Sequence, residues 1–154
     1  MPSEIKKLIA ENRRARFDYI IEEVVEAGII LVGTEVKSLR EGQGNIAESY
    51  ATIENQELIL INSTIPIYSP ASQFNHLPTR PRKLLVKRHE ISRLWNLTQR
   101  KGRTLIPLKM YFDINGRVKI QIGTATGKDN KDKRDSVKKR DWQRDKARLM
   151  RERG

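Results

Sequence analysis

The sequence predicts a mainly β fold: a small antiparallel barrel with two or three flanking short helices and a basic C-terminal tail. Three observations carry this reading. Short apolar segments alternate with turn signals, without the strand–helix–strand order of a parallel sheet. Asn115-Gly116 lies between two such segments, and that dipeptide is the strongest short-range hairpin signal. After Gly127 the composition breaks, and almost nothing that builds a core follows. With 154 residues and 37% hydrophobic content the chain supports one modest core. The division expected is therefore a body over residues 1–127 and a tail over residues 128–154.

Taken in order, a short polar helix is expected over about Ser3 to Glu11, with Ser3 as N-cap. A basic knot, Asn12 to Arg16, precedes Phe17 to Val25, where Phe17, Tyr19 and Ile21 alternate with Asp18 and Glu22 as in a strand. Ala27-Gly28 is read as a turn into a second strand, Ile29 to Val32. Glu35 to Arg40 makes one or two helical turns, stopped by Gly42 and Gly44. Tyr50 to Glu54 and Leu58 to Ile61 pair through Asn55-Gln56. Residues 62–83 hold four of the six prolines and form a long loop. Ile91, Leu94, Trp95 and Thr98 recur at helical spacing over His89 to Lys101, with Gly102 as C-cap. Thr104 to Phe112 and Arg117 to Gly123 form the last hairpin. The sum is six or seven strands, and the five-stranded oligonucleotide-binding (OB-like) barrel is the nearest common architecture.

Composition narrows the partners. The formal net charge is +12, and half of it sits in the tail, in under a fifth of the length. Such a chain suits nucleic acid, an anionic membrane or an acidic protein. The most apolar run, Ile20 to Val36, is broken by Glu22, Glu23 and Glu26 and is too short to span a bilayer. The first residues lack the apolar core of a signal peptide. The absence of cysteine removes disulfides and thiolate metal sites, and two histidines are too few for an ordinary zinc site. The expectation is a soluble cytoplasmic protein with no metal, no cofactor and no membrane partner.

No nucleophile elbow, phosphate loop or dinucleotide fingerprint is present, and no Ser/His/Asp order has motif support, so no catalytic residues are assigned. His76 and His89 fall in different kinds of segment. Glu35 and Lys37, two apart on a helix, face apart rather than forming an acid–base pair. The cations group better. Arg13, Arg14 and Arg16 precede a strand, Lys37 and Arg40 follow one, and Arg80, Arg82, Lys83, Lys87 and Arg88 form a second cluster. As a set on a chain of +12 they read as phosphate contacts. Phe17, Tyr19 and Tyr50 suit base stacking or the core.

In the tail, Arg140, Arg144, Arg148 and Arg151 are spaced to share one helix face. A helix this short and polar is marginal in water. The tail is thus expected to be disordered alone and to become helical on an anionic partner. Trp142, Leu149 and Met150 are its chief apolar groups.

Several strings in fixed order resemble the SmpB family of SsrA-binding proteins, the partners of transfer-messenger RNA in bacterial ribosome rescue. These are Asn12-Arg13-Arg14-Ala15 before Asp18-Tyr19, Ile21-Glu22-Glu23, Glu26-Ala27-Gly28-Ile29, GTEVKSLREG at Gly33 to Gly42, Asn45 and Ser49-Tyr50-Ala51. Phe74-Asn75-His76, Arg80-Pro81-Arg82-Lys83-Leu84-Leu85, Thr104 to Lys109, Asp132-Lys133-Arg134 and Arg140-Asp141 continue the match.

The resemblance implies an OB-like body that binds the tRNA-like domain of transfer-messenger RNA through Asn12, Arg13, Arg14, Glu35, Lys37, Arg40 and Asn45. It also implies a monomeric adaptor that enters a stalled ribosome, with elongation factor Tu on the same RNA. There the tail would lie in the decoding centre, against small-subunit RNA, and along the mRNA path. Its residues for this would be Lys128, Asp132, Lys133, Arg134, Lys138, Arg140, Trp142, Arg144, Arg148, Leu149 and Met150. One departure stands out: Asp129 replaces the family's second lysine and Lys131 its aromatic, which lowers the charge ahead of Asp132. Composition alone equally allows a constitutive basic ribosomal protein.

Overall fold

A computed structural model describes residues 4–127. Seven antiparallel strands, β1 (Ile5–Glu11), β2 (Tyr19–Ile29), β3 (Tyr50–Glu54), β4 (Glu57–Ile61), β5 (Arg82–Leu85), β6 (Thr104–Asp113) and β7 (Val118–Gly127), form one sheet. Six of them close on themselves in the order β6-β3-β4-β5-β2-β7 and back to β6, and β1 joins β6 from outside. Three helices, α1 (Ala15–Asp18), α2 (Gly33–Arg40) and α3 (Arg88–Lys101), flank the ring. The mainly β, OB-like class is therefore as expected, with one strand more in the ring than the five-stranded comparison. The latent helix expected of the tail lies outside the described residues.

The segment expected to open the chain as a helix is instead β1. Seven residues are too few for a helix that stands alone in water. β3 occupies only the start of one β6 edge, at Ala51 opposite Leu105. The rest of that edge would leave backbone donors and acceptors open. β1 takes them, running from Ile5 opposite Asp113 to Glu11 opposite Lys109, with two bulges.

Phe17 and Asp18 belong to α1 rather than to a strand, their amides donating to the Arg14 carbonyl at 3.0 and 2.9 Å. The strand then runs unbroken through Ala27-Gly28, where a turn was expected. Gly28 lies between Leu85 of β5 and Lys119 of β7, so ladders on both sides hold it extended. Arg82 and Lys83, expected to end the loop of residues 62–83, instead open β5, which pairs with both β4 and β2.

The turns follow local chemistry. Gly102 ends α3 in the left-handed region at φ 65°, as expected of its C-cap position. The last hairpin turns over Ile114-Asn115-Gly116, where Asp113 Oδ1 accepts the amides of Asn115 and Arg117, each at 2.9 Å. Between β3 and β4, Asn55 and Gln56 both have positive φ, 51° and 63°, as a two-residue hairpin turn of mirror-image type requires. Glutamine pays for that conformation, so Gln56→Gly is expected to stabilise the fold by about 0.5–1 kcal/mol, allowing for glycine's looser unfolded state. A raised urea midpoint with an unchanged slope is the check.

The main core fills the ring with Leu39, Ile46, Leu58, Leu60, Ile65, Leu84, Leu94, Leu105, Met110, Phe112, Ile120 and Ile122. A second cluster, Ala15, Ile106, Leu108 and Ala125, lies under α1. One bulge in β6 between Pro107 and Lys109 allows both. It inverts the in–out alternation, so that Leu105 before it and Met110 after it reach the same core while Ile106 and Leu108 face the other.

Candidate nucleic-acid interface

The site is built outward from α2. Its third residue, Glu35, is fully buried. Oε1 accepts the Val32 amide at 2.8 Å and the Arg80 guanidinium at 2.5 Å, and Oε2 accepts Arg82 Nε at 2.6 Å. Burial pushes this carboxyl up, but the hydrogen bonds from Arg80, Val32 and Arg82 and the charge of Arg82 outweigh it and hold Glu35 below the ordinary carboxylate value. Arg82 is buried just as completely, and burial holds its guanidinium below its ordinary value against the pull of Glu35. Its remaining donors reach the Ser63 carbonyl and hydroxyl at 3.1 and 2.9 Å and the Pro78 carbonyl at 3.0 Å. A two-faced ion cluster thus locks α2 to β5 and to the proline segment.

Glu35 and Arg82, both read in the sequence as surface groups, therefore work beneath the surface. Lys37 faces away from Glu35, as its spacing on the helix requires. It is exposed, with Nζ 5.6 Å from the centre of the Tyr68 ring. Arg40 is exposed at the last turn, and its carbonyl accepts Lys7 Nζ of β1 at 2.8 Å. Lys7 is an addition to the expected set, missed because its segment read as a polar helix. Asn45, on the exposed connection after α2, pairs its backbone with Thr64 in both directions at 2.9 Å and caps Ala47 N through Oδ1 at 2.8 Å. Lys7, Lys37, Arg40 and Asn45 are thus gathered around one helix.

The N-terminal turn forms a second locus. Asn12 is 8% exposed; its amide donates to the Leu108 carbonyl at 2.8 Å and its Nδ2 to the Pro107 carbonyl at 3.2 Å. It fixes the turn from which Arg13 and Arg14 project into solvent. Arg14 lies 5.2 Å from the Phe17 ring centre and 3.6 Å from Asp18. A cleft of about 430 Å³ opens here between Arg14, Asp18 and Tyr19 on one side and Ala47 to Tyr50 on the other. The connection from Asn45 to Ser49 is what bridges the two loci.

The second cation cluster does not form one patch. Arg82 is internal, Lys83 pairs with Glu57 at 3.0 Å, and Lys87 and Arg88 lie exposed at the start of α3. His89 is solvent-facing, whereas His76 is buried, with Nδ1 2.8 Å from Thr34 Oγ1 and Nε2 2.8 Å from the Ile65 carbonyl. A carbonyl only accepts, so Nε2 donates to Ile65. His76 is a strut between α2 and the proline segment. The expected tail contacts, Lys128 to Met150, lie outside the described residues. Among those described, no helix is long and apolar enough to cross a membrane.

The model of the family described as SmpB protein matches residues 9–152. The chain is 60% identical over 146 residues to the SsrA-binding protein of Caulobacter vibrioides, covering 95% of this chain and 96% of that one. It is 55% identical over 149 residues to the SsrA-binding protein of Novosphingobium aromaticivorans, covering 97% and 93%. A chain of the solved structure described as "tmRNA-SmpB: a journey to the center of the bacterial ribosome" superposes with a TM-score of 0.66 at 48% identity. That match covers 82% of this chain and 92% of the other.

Proposed function

The chain belongs to the SmpB protein family, and we propose that it is the adaptor that binds the tRNA-like domain of transfer-messenger RNA and delivers it to stalled ribosomes. The observation that carries this reading is the family match over residues 9–152, which takes in body and tail together. The exposed cations support it. Arg13, Arg14, Lys7, Lys37 and Arg40 are set on rigid supports, as a protein needs if it is to hold a folded polyanion in one register. Glu35 and Asn12 act as positioning residues, one seating α2 and the other the N-terminal turn. Asn45 holds the connection between them.

The tail residues Lys128, Asp132, Lys133, Arg134, Lys138, Arg140, Trp142, Arg144, Arg148, Leu149 and Met150 are assigned to the decoding centre and mRNA path. The support is the sequence: twelve cations, one arginine face, and a few apolar groups to seat it. With the body on the RNA and the tail in the empty channel, the pair stands in for a codon–anticodon match. Translation then resumes on the tagging message. No observation favours a constitutive ribosomal protein.

The test is the RNA that co-purifies with the chain at moderate salt. One structured small RNA at sub-stoichiometric level is expected; one copy on each salt-washed subunit would overturn the adaptor reading. At residue level, Arg13→Ala/Arg14→Ala is expected to weaken binding of transfer-messenger RNA. Its salt dependence should flatten by about one slope unit for each lost phosphate contact. An unchanged slope would remove both arginines from the interface.

A further inference from the structure

Residues 62–79, within the proline segment, contain no charged side chain, although 32% of the chain is charged. The stretch is nevertheless firmly built. Asn75 clamps Tyr68 from both sides, its Oδ1 accepting the Tyr68 amide at 2.6 Å and its Nδ2 donating to the Tyr68 carbonyl at 2.9 Å. A 3-10 turn, Ser69–Phe74, fills the loop so closed. His76 is pinned between Thr34 and Ile65, and the Pro78 carbonyl accepts both the Ile65 amide and Arg82. Between these anchors stand Phe74 and Leu77, 78% and 74% exposed, the two most exposed large apolar side chains among the described residues.

Single apolar groups on a surface need no explanation. Here two of them sit within four residues, on backbone held on both sides. Their surroundings select the partner. Tyr68, joined to Asn75, carries Lys37 over its ring, and Arg40 and Lys7 follow along α2. No carboxylate lies in the stretch itself to repel a phosphate. A rigid aromatic face beside cations is the arrangement that holds unpaired nucleotides, the base on the ring and the phosphate on the cation.

We propose that Phe74 and Leu77 form a stacking platform for an unpaired base of the bound RNA, with Lys37 and Arg40 receiving the neighbouring phosphates. The proposal rests on the adaptor reading above and adds to it a base contact outside the two expected loci.

The test uses the full chain and a transcript of the tRNA-like domain of transfer-messenger RNA. Phe74→Ala should weaken binding by roughly 5- to 150-fold, the range of one lost base–aromatic stack, with an unchanged salt slope. Phe74→Trp should keep wild-type affinity and show emission quenched by the RNA beyond the wild-type change. Lys37→Ala should instead lower the slope by about one unit. Phe74 is exposed, so thermal melting should match wild type in both Phe74 variants. Wild-type affinity in Phe74→Ala, or unmoved emission in Phe74→Trp, overturns the platform and leaves the adaptor reading standing. Failure of the wild-type chain itself to bind the transcript overturns both.

Discussion

Glu35→Ala is expected to destabilise the body by about 3–5 kcal/mol, the cost of removing one partner from a buried ion pair. The magnitude follows from what stays behind. Arg82 has no exposed surface, and its Nε would face the vacated space with its charge uncompensated. Arg80 and the Val32 amide lose the same acceptor. Domains of this size are stable by only about 5–15 kcal/mol, so the variant should unfold at a much lower urea concentration.

Glu35→Ala/Arg82→Met separates the pair from mere packing. Removing the stranded charge should recover part of the loss, and a double variant no better than additive would show that the two do not act as a unit. The cluster also sets a pH dependence. Glu35's carboxyl is held below its ordinary value of 4.5 in the folded chain. Its contribution is therefore complete above the unfolded value and is lost as pH falls through the lower, folded one. The wild-type midpoint should thus drop in that acid range more than that of Glu35→Gln, which has no proton to take up.

The parts of this fold that were legible in the sequence are those decided by neighbours along the chain. Gly102, Gly42 and the Asn115-Gly116 hairpin each answer a local backbone demand, and the 3.6-residue spacing of Ile91, Leu94 and Thr98 is enough to define α3. What escaped was decided by distant partners. β1 is a strand because β6, about a hundred residues on, has an open edge to offer. β5 is four residues long, and its inward arginine looks like a surface group until Glu35, 47 residues away, is placed against it. For the same reason Glu35, a contact residue by resemblance alone, gave no local sign of being internal: its burial depends on two arginines from another segment. Lys7 joined the site only when β1 was laid beside α2. The exposure of Arg13, Arg14, Lys37 and Arg40 needed no such partner to be legible, but their division into two loci did.

Ending the chain after Gly127 is expected to leave transfer-messenger RNA bound while abolishing tagging of nascent chains on stalled ribosomes. Gly127 is the last residue of β7 and pairs with Tyr19, so the cut spares every ladder of the sheet and both clusters of the core. It also spares both loci of exposed cations. The truncation removes half of the formal charge, and with it a sequence-independent attraction to any RNA. The salt slope should therefore fall, while preference for transfer-messenger RNA over an unrelated RNA of equal length is retained. On ribosomes stalled on a message without a stop codon, tag addition should disappear at RNA concentrations that saturate the truncated chain. Arg13→Ala/Arg14→Ala should do the reverse, weakening RNA binding while tagging returns at higher protein concentration. Such opposite defects in two variants require that selecting the RNA and occupying the channel reside in different parts of the chain. Equal loss of binding and tagging on truncation would mean instead that the tail's charge holds the RNA, and that the boundary at Gly127 divides the composition without dividing the work.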